Sequence, residues 1–162
     1  MNKKIITLIT IICATTISSY AAVGTFNASL TVDLAISVTN PVELNLGVIS
    51  VDRLSSGTVT LSPAGDISNI GTHLPIIGYS AATIAITGNP NETISTVSVT
   101  TSGLLTNGVS NIAIDYTNNS GGSLLLDATG VATFNIGATV TIDGSNAILG
   151  AYTGSFQVTV DY

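Results

Sequence analysis

The chain has 162 residues, is 45% hydrophobic and only 7% charged, and sets three Lys or Arg against nine Asp or Glu for a formal net charge of −6. So acidic a chain is poorly suited to nucleic acid or anionic lipid, which are gripped by clusters of Lys and Arg. A single Cys excludes an internal disulfide, and a single His leaves a Ser-His-acid relay only one centre.

Residues 1–21 read as a secretory signal peptide. Asn2-Lys3-Lys4 make a basic start, Ile5 to Ala14 form an apolar run too short to cross a bilayer, and the small residues Ser19 and Ala21 mark a cleavage site after Ala21. Cys13 follows the bulky Ile12 inside that apolar run, which disfavours lipoprotein processing. Cleavage removes the only Cys and both Lys, so the mature chain keeps Arg53 as its one strong base and is expected to be soluble after export, without membrane insertion.

Residues 22–40 form an N-terminal segment of unusual regularity. In "TFNASLTVDLAISVT" (25–39), Phe26, Ala28, Leu30, Val32, Leu34, Ile36 and Val38 occupy every second position, with polar residues filling most of the gaps. Side chains on a strand alternate faces, so this is a one-faced ribbon; at roughly 3.3 Å per residue it would extend about 45 Å, against five or six residues for an ordinary strand. Such a ribbon is either a first strand of the chain's own sheet or a strand donated to a neighbour. A division is also open, with residues up to about Asp33 donated and the rest kept.

From residue 41 to 162 a single β-sandwich domain is expected. Asn40-Pro41 should break the first ladder, and "VELNLGVI" (42–49) resumes alternation with Val42, Leu44, Leu46 and Val48 on one face. Further strands are predicted at 57–62, 81–87, 93–101, 111–117, 123–127, 131–142 and 151–162, separated by turn residues such as Ser62-Pro63-Ala64-Gly65, Asn89-Pro90-Asn91, Asn107-Gly108 and Asp143-Gly144. In the last strand Gly150, Tyr152, Gly154, Phe156, Val158, Val160 and Tyr162 share one face. No window carries a sustained helical period, so the class is all-β.

Catalytic and metal chemistry find little support, and neither an active site nor a cofactor is expected. His73 lies in "GTHLPIIG" (71–78), which reads as a loop entering a strand, where a lone His is a surface or turn residue. The acids are scattered singly, no Cys/His spacing suits zinc, and Asp127 and Asp143 read as turn residues that bond backbone N–H groups rather than as parts of a calcium loop. The sequons at Asn27, Asn91 and Asn118 matter only in a host that glycosylates exported proteins. An outer-membrane barrel would need aromatic girdles, and this chain has few aromatics and no Trp.

"LNLGVIS" (44–50), "SGTVTLSPAGD" (56–66), "ATIAITGNPNETIS" (82–95), "LDATGVATFNIGATVTI" (126–142) and "GAYTGSFQVTVDY" (150–162) resemble, in that order, the bacterial family of domain of unknown function 4402. That resemblance implies an exported immunoglobulin-like, pilin-like sandwich similar to fimbrial subunits of the chaperone–usher route. Such subunits form homopolymers on the cell surface, with a periplasmic chaperone and an outer-membrane usher as partners. In those families the fold lacks one strand, first lent by the chaperone and then replaced by the N-terminal extension of the next subunit. Gly150 and Tyr162 have the twelve-residue separation typical of the C-terminal pilin strand, although Tyr162 is the final residue instead of the penultimate one, and the cysteine pair of many pilins is missing.

The resemblance makes Phe26, Ala28, Leu30, Val32, Leu34, Ile36 and Val38 the expected donor set. Gly150, Tyr152, Phe156, Val158, Val160 and Tyr162 become the expected acceptor edge. The alternative is a monomeric surface binding module, adhesin-like, that recognises glycans or a host protein through loops such as "TNNSGGS" (117–123).

Overall fold

The computed structural model describes residue 30 and residues 34–162, so Phe26, Ala28 and Val32 of the expected donor set lie outside the described residues, as does the signal segment. The run from Asp33 to Tyr162 forms one compact unit. Every regular element among the described residues is a strand: β1 Ser37–Val42, β2 Asn45–Ser50, β3 Ser56–Leu61, β4 Ile67–Ile70, β5 Leu74–Ser80, β6 Ala82–Thr87, β7 Thr93–Ile94, β8 Thr96–Val99, β9 Ser102–Thr106, β10 Asn111–Asn118, β11 Leu124–Leu125, β12 Val131–Asp143 and β13 Val158–Asp161.

All pairings are antiparallel, and the long β12 organises them. Its alternation of Phe134, Ile136, Ala138, Val140 and Ile142 with Thr, Asn and Gly keeps one face buried along its whole length. The first half, Val131 to Ile136, pairs with β6, which in turn pairs with β1. The second half is flanked on both sides, because Ala138 to Thr141 pair with β3 and with β10, and β4 and β9 extend those two edges.

Three short pairs, β2 with β5, β7 with β11, and β8 with β13, supply the remaining cover of the β-sandwich. Ile94, Val97 and Val99 from these pairs join Ile84, Ile86, Ile114, Phe134 and Ile136 from the large sheet in one core. Leu126, at the end of β11, is fully buried in the same cluster.

The handover of β12 from β6 to β3 occurs at Gly137. A Cβ there would collide with the Leu61 carbonyl oxygen and would come within 2.6 Å of the Ser62 carbonyl carbon. These are backbone atoms of a paired strand and cannot swing aside.

Several local expectations are corrected. Asn40-Pro41 does not end a strand; the register slips between Thr39↔Ala85 and Val42↔Thr83, so the two residues form a bulge inside β1, a position that tolerates the missing Pro N–H. Val48 does not share the inner face with Leu46. Gly47 adopts a φ of 73°, the β2–β5 register shifts after Val48, and Val48 turns outward at 56% exposure while Ile49 takes the inner place.

Strands β4 and β9 form where none was predicted, and β5 occupies the stretch read as a loop entering a strand. The last predicted strand is regular only over β13. Upstream it makes a single bridge, Thr153 with Thr106, yet from Phe156 to Tyr162 half-buried Phe156, Val158, Val160 and Tyr162 alternate with exposed neighbours, while Gly150 and Gly154 of the predicted face are exposed.

Gly137→Ala is expected to lower the unfolding free energy by about 2–4 kcal/mol, since the added methyl can be placed only by parting β12 from β3. Urea unfolding monitored by circular dichroism checks this; an unchanged midpoint would contradict the proposed handover geometry.

Candidate functional site

Along one side the core is not closed. Between the segment from Val38 to Val51 and the segment from Ala147 to Val158 runs an open groove with a volume of about 870 Å³. One wall carries Leu44, Leu46, Ile49 and Val51, and the other carries Ala147, Phe156 and Val158. Leu105 and Ile112 join the buried Ile84, Ile114, Val140 and Ile142 along the groove.

The nine unburied members of that lining have core chemistry and pack against the core cluster, yet each remains half-exposed. A complete sandwich removes such side chains from water, gaining about 1.5–3 kcal/mol for each large one fully buried. Here that gain is only partly realised.

The C-terminal wall is also incomplete in its hydrogen bonding. Among the described residues β13 pairs with β8 alone. Upstream of it the backbone bonds are few: Thr100 N–H to the Gln157 carbonyl at 3.0 Å, and the reciprocal Thr106–Thr153 pair at 2.8 and 2.9 Å. Gly154 lets this wall approach β9, because a Cβ would fall 2.7 Å from the Leu104 carbonyl oxygen.

Phe156 is anchored by a tilted ring contact with Tyr116, centroids 5.3 Å apart, and burial raises the Tyr116 phenol above its ordinary pKa. Tyr152 donates its hydroxyl to the Ile148 carbonyl at 2.8 Å. Gly150, Tyr152, Phe156 and Val158 therefore line the groove together, while Val160 and Tyr162 do not line it.

The described members of the other predicted set are held as follows. Leu30 is exposed. Leu34 is exposed in its side chain but bonded through its backbone: its N–H donates to Asn89 Oδ1 at 3.0 Å, and its carbonyl accepts from Tyr162 Oη at 3.4 Å. Ile36 packs half-buried on the core, and Val38 pairs opposite Ile86 in β1 at the rim of the groove. Leu34, Ile36 and Val38 thus belong to the body of their own chain here. The sequence reading missed the wall formed by Leu44 to Val51 together with Leu105 and Ile112; their apolar alternation was visible, but a pattern of core residues carries no mark that an open groove lies beside them.

His73 corrects an expectation. It is fully buried, not at the surface. Its Nδ1 accepts the Asp52 N–H at 3.1 Å, which leaves Nε2 to carry the proton and donate to the Ile142 carbonyl at 3.0 Å. The ring ties the end of β12 to the loop after β2, with each ring nitrogen engaged by a backbone group.

Asp127 and Asp143 bracket turns, as their sequence context implies, and Asp52 does the same. Thr129 Oγ1 donates to Asp127 at 2.6 Å, with the Val131 and Thr129 amides at 2.9 and 2.8 Å, and holds its carboxyl below the usual range. Asp143 is lowered by Ser145 Oγ and Asn146 Nδ2, both at 2.7 Å, and Asp52 chiefly by Thr72 Oγ1 at 2.6 Å. No three His, Cys, Asp or Glu side chains converge among the described residues. No helix among them is long and apolar enough to cross a membrane.

The family model described as "Domain of unknown function (DUF4402)" matches residues 36–162. The chain belongs to this family. Its matched span starts one residue before β1 and takes in both walls of the groove. No curated protein and no solved structure matches the chain.

The three lowered aspartates set a pH dependence. Their folded-state pKa values lie below the unfolded value of about 3.9, so their contribution is fully present above that value and is lost as pH falls through the folded ones. Thermal melts should give a level plateau from neutral pH to about pH 5 and a decline below it. Asp127→Asn should shallow that decline, and an unaltered acid slope would remove Asp127 from this role.

Proposed function

We propose that this chain is a secreted structural subunit of a bacterial surface fibre, pilin-like in its immunoglobulin-type sandwich, whose subunits join by strand donation. The N-terminal extension of one copy occupies the groove of the next. The observation that carries this reading is the groove itself: half-buried core side chains lining it over the buried Ile84, Ile114, Val140 and Ile142, beside a C-terminal segment with few backbone partners.

An extended segment with one apolar face satisfies both deficits, filling the groove with alternate side chains and supplying the strand hydrogen bonds. Residues 22–33 have that character, with Phe26, Ala28, Leu30 and Val32 on one face and Asn27, Ser29, Thr31 and Asp33 on the other. The donated part ends before Leu34, because Leu34, Ile36 and Val38 serve their own body. Burying Phe26, Leu30 and Val32 would contribute about 1.5–3 kcal/mol each, before hydrogen bonds are counted.

A chain exported with so much core surface exposed would aggregate in transit. A periplasmic chaperone that covers the groove and an outer-membrane usher that exchanges it for the next subunit fit this requirement. Function then lies in polymerisation, with no active site and no cofactor.

Two variants separate donor from acceptor. Leu30→Asp places a charge on the donated face and should give exported monomers that cannot donate; Leu46→Arg blocks the groove wall and should give monomers that cannot accept. Each alone forms no fibres, and mixed together they form one-to-one heterodimers, in which Leu30→Asp accepts and Leu46→Arg donates. Size-exclusion chromatography with light scattering reads the result, and fibres of normal length from either variant would overturn the proposal.

A further inference from the structure

We infer that Tyr162 and Asn89 form a root clamp that commits the N-terminal extension to a second copy and keeps it out of its own groove; this inference rests on the strand-donation reading above. The clamp holds both backbone groups of Leu34. Asn89 Oδ1 accepts the Leu34 N–H at 3.0 Å, and the Tyr162 hydroxyl donates to the Leu34 carbonyl at 3.4 Å while accepting the Asn89 N–H at 2.8 Å. The seat for the phenol exists because position 88 is glycine, where a Cβ would collide with the Tyr162 hydroxyl and would lie 3.0 Å from Leu126 Cδ1. The Tyr162 ring packs half-buried against the core, so the hydroxyl is presented from a fixed base.

Location gives the clamp its consequence. The lining of the groove runs no nearer the N-terminus than Val38 and no nearer the C-terminus than Val158, and the clamped Leu34 and Tyr162 each lie four residues further along the chain from these. For a chain to fill its own groove, the extension would have to reverse within a few residues of Leu34 and run back past Val158. Residues 28–37, "ASLTVDLAIS", contain no Gly, Asn or Pro to take a positive φ or preset a bend, and Asp33 is followed by Leu34, not by the Gly of a two-residue hairpin turn. A reversal would also have to use Leu34 backbone groups that Asn89 and Tyr162 already occupy. An unreversed extension can meet only another molecule's groove.

The test compares the exported wild-type chain with Tyr162→Phe, with the double variant Asp33→Asn/Leu34→Gly, which installs an Asn-Gly turn at the root, and with a chain lacking residues 22–33. Each is assayed by light scattering and by uptake of a fluorescent synthetic peptide of residues 22–34. The expected result is a wild type that assembles and takes up peptide at its free grooves, a double variant that is monomeric and refuses peptide, and a Tyr162→Phe chain whose monomer share rises several-fold. A double variant that assembles and binds peptide as wild type does would overturn the clamp. So would a monomeric wild type that refuses peptide until residues 22–33 are deleted, because its own extension would then have been filling the groove; that outcome leaves a strand-filled groove intact. Failure of every chain, including the truncated one, to take up peptide would instead overturn the strand-donation reading and the clamp with it.

Discussion

The interior of this sandwich stays open along one apolar groove, and the surrounding architecture has to hold together beside that opening. Sheets become stable when each apolar face is packed against another layer. Here Ile84, Ile114, Val140 and Ile142 are almost fully buried, yet the side chains above them, from Leu44 to Val51 and from Ala147 to Val158, line an open groove. The C-terminal wall is correspondingly weak in regular pairing, with one bridge upstream of β13. An edge with unpaired backbone and an apolar face attracts any strand that can pair with it, so exposure of this kind is a hazard unless one partner is meant to take the place.

Around the opening, β12 ties the rest of the body together. One strand serves β6 through its first half and both β3 and β10 through its second, so the core does not depend on the groove being filled. Gly137 permits the change of partner, and His73 fastens the far end through the Ile142 carbonyl. The aspartates secure turns next to this frame: Asp127 just before β12, Asp143 at its end, and Asp52 in the loop beside His73. In a chain whose single Cys13 leaves no internal disulfide, these side-chain ties take over part of the work that disulfides do in many small domains.

Much of this fold was legible in the sequence because alternation is a direct consequence of strand geometry. The inward sets of β6, β8, β10, β12 and the C-terminal segment could be read from period two alone, and the aspartate turns followed from the ability of a short carboxylate to bond nearby N–H groups. What failed was phase and context. Gly47 shifted β2 by a bulge that no apolar pattern announces, Pro41 entered a bulge where a break was expected, and β4 and β9 lacked a strong apolar signature. His73 was misjudged because its burial depends on Asp52 and Ile142, partners 21 and 69 residues away. The groove shows the same limit more sharply, since Leu46 and Phe156 look like ordinary core residues until the space beside them is found empty.

The two ends of the compact unit are joined at a single point, and that joint links the two halves of the proposed assembly. The segment forming one groove wall continues through β13 to Tyr162, and Tyr162 holds Leu34, the first residue that belongs continuously to the body. A strand arriving in the groove would stiffen the C-terminal segment by pairing with it, and the stiffened segment ends at the clamp on the departing extension. In the proposed assembly, acceptance at one end would therefore steady donation at the other. From Leu34 onward the chain is committed to its own body, through the Asn89 bond and then through β1 and β6, so in the proposed assembly the residues before Leu34 are the ones offered to another molecule.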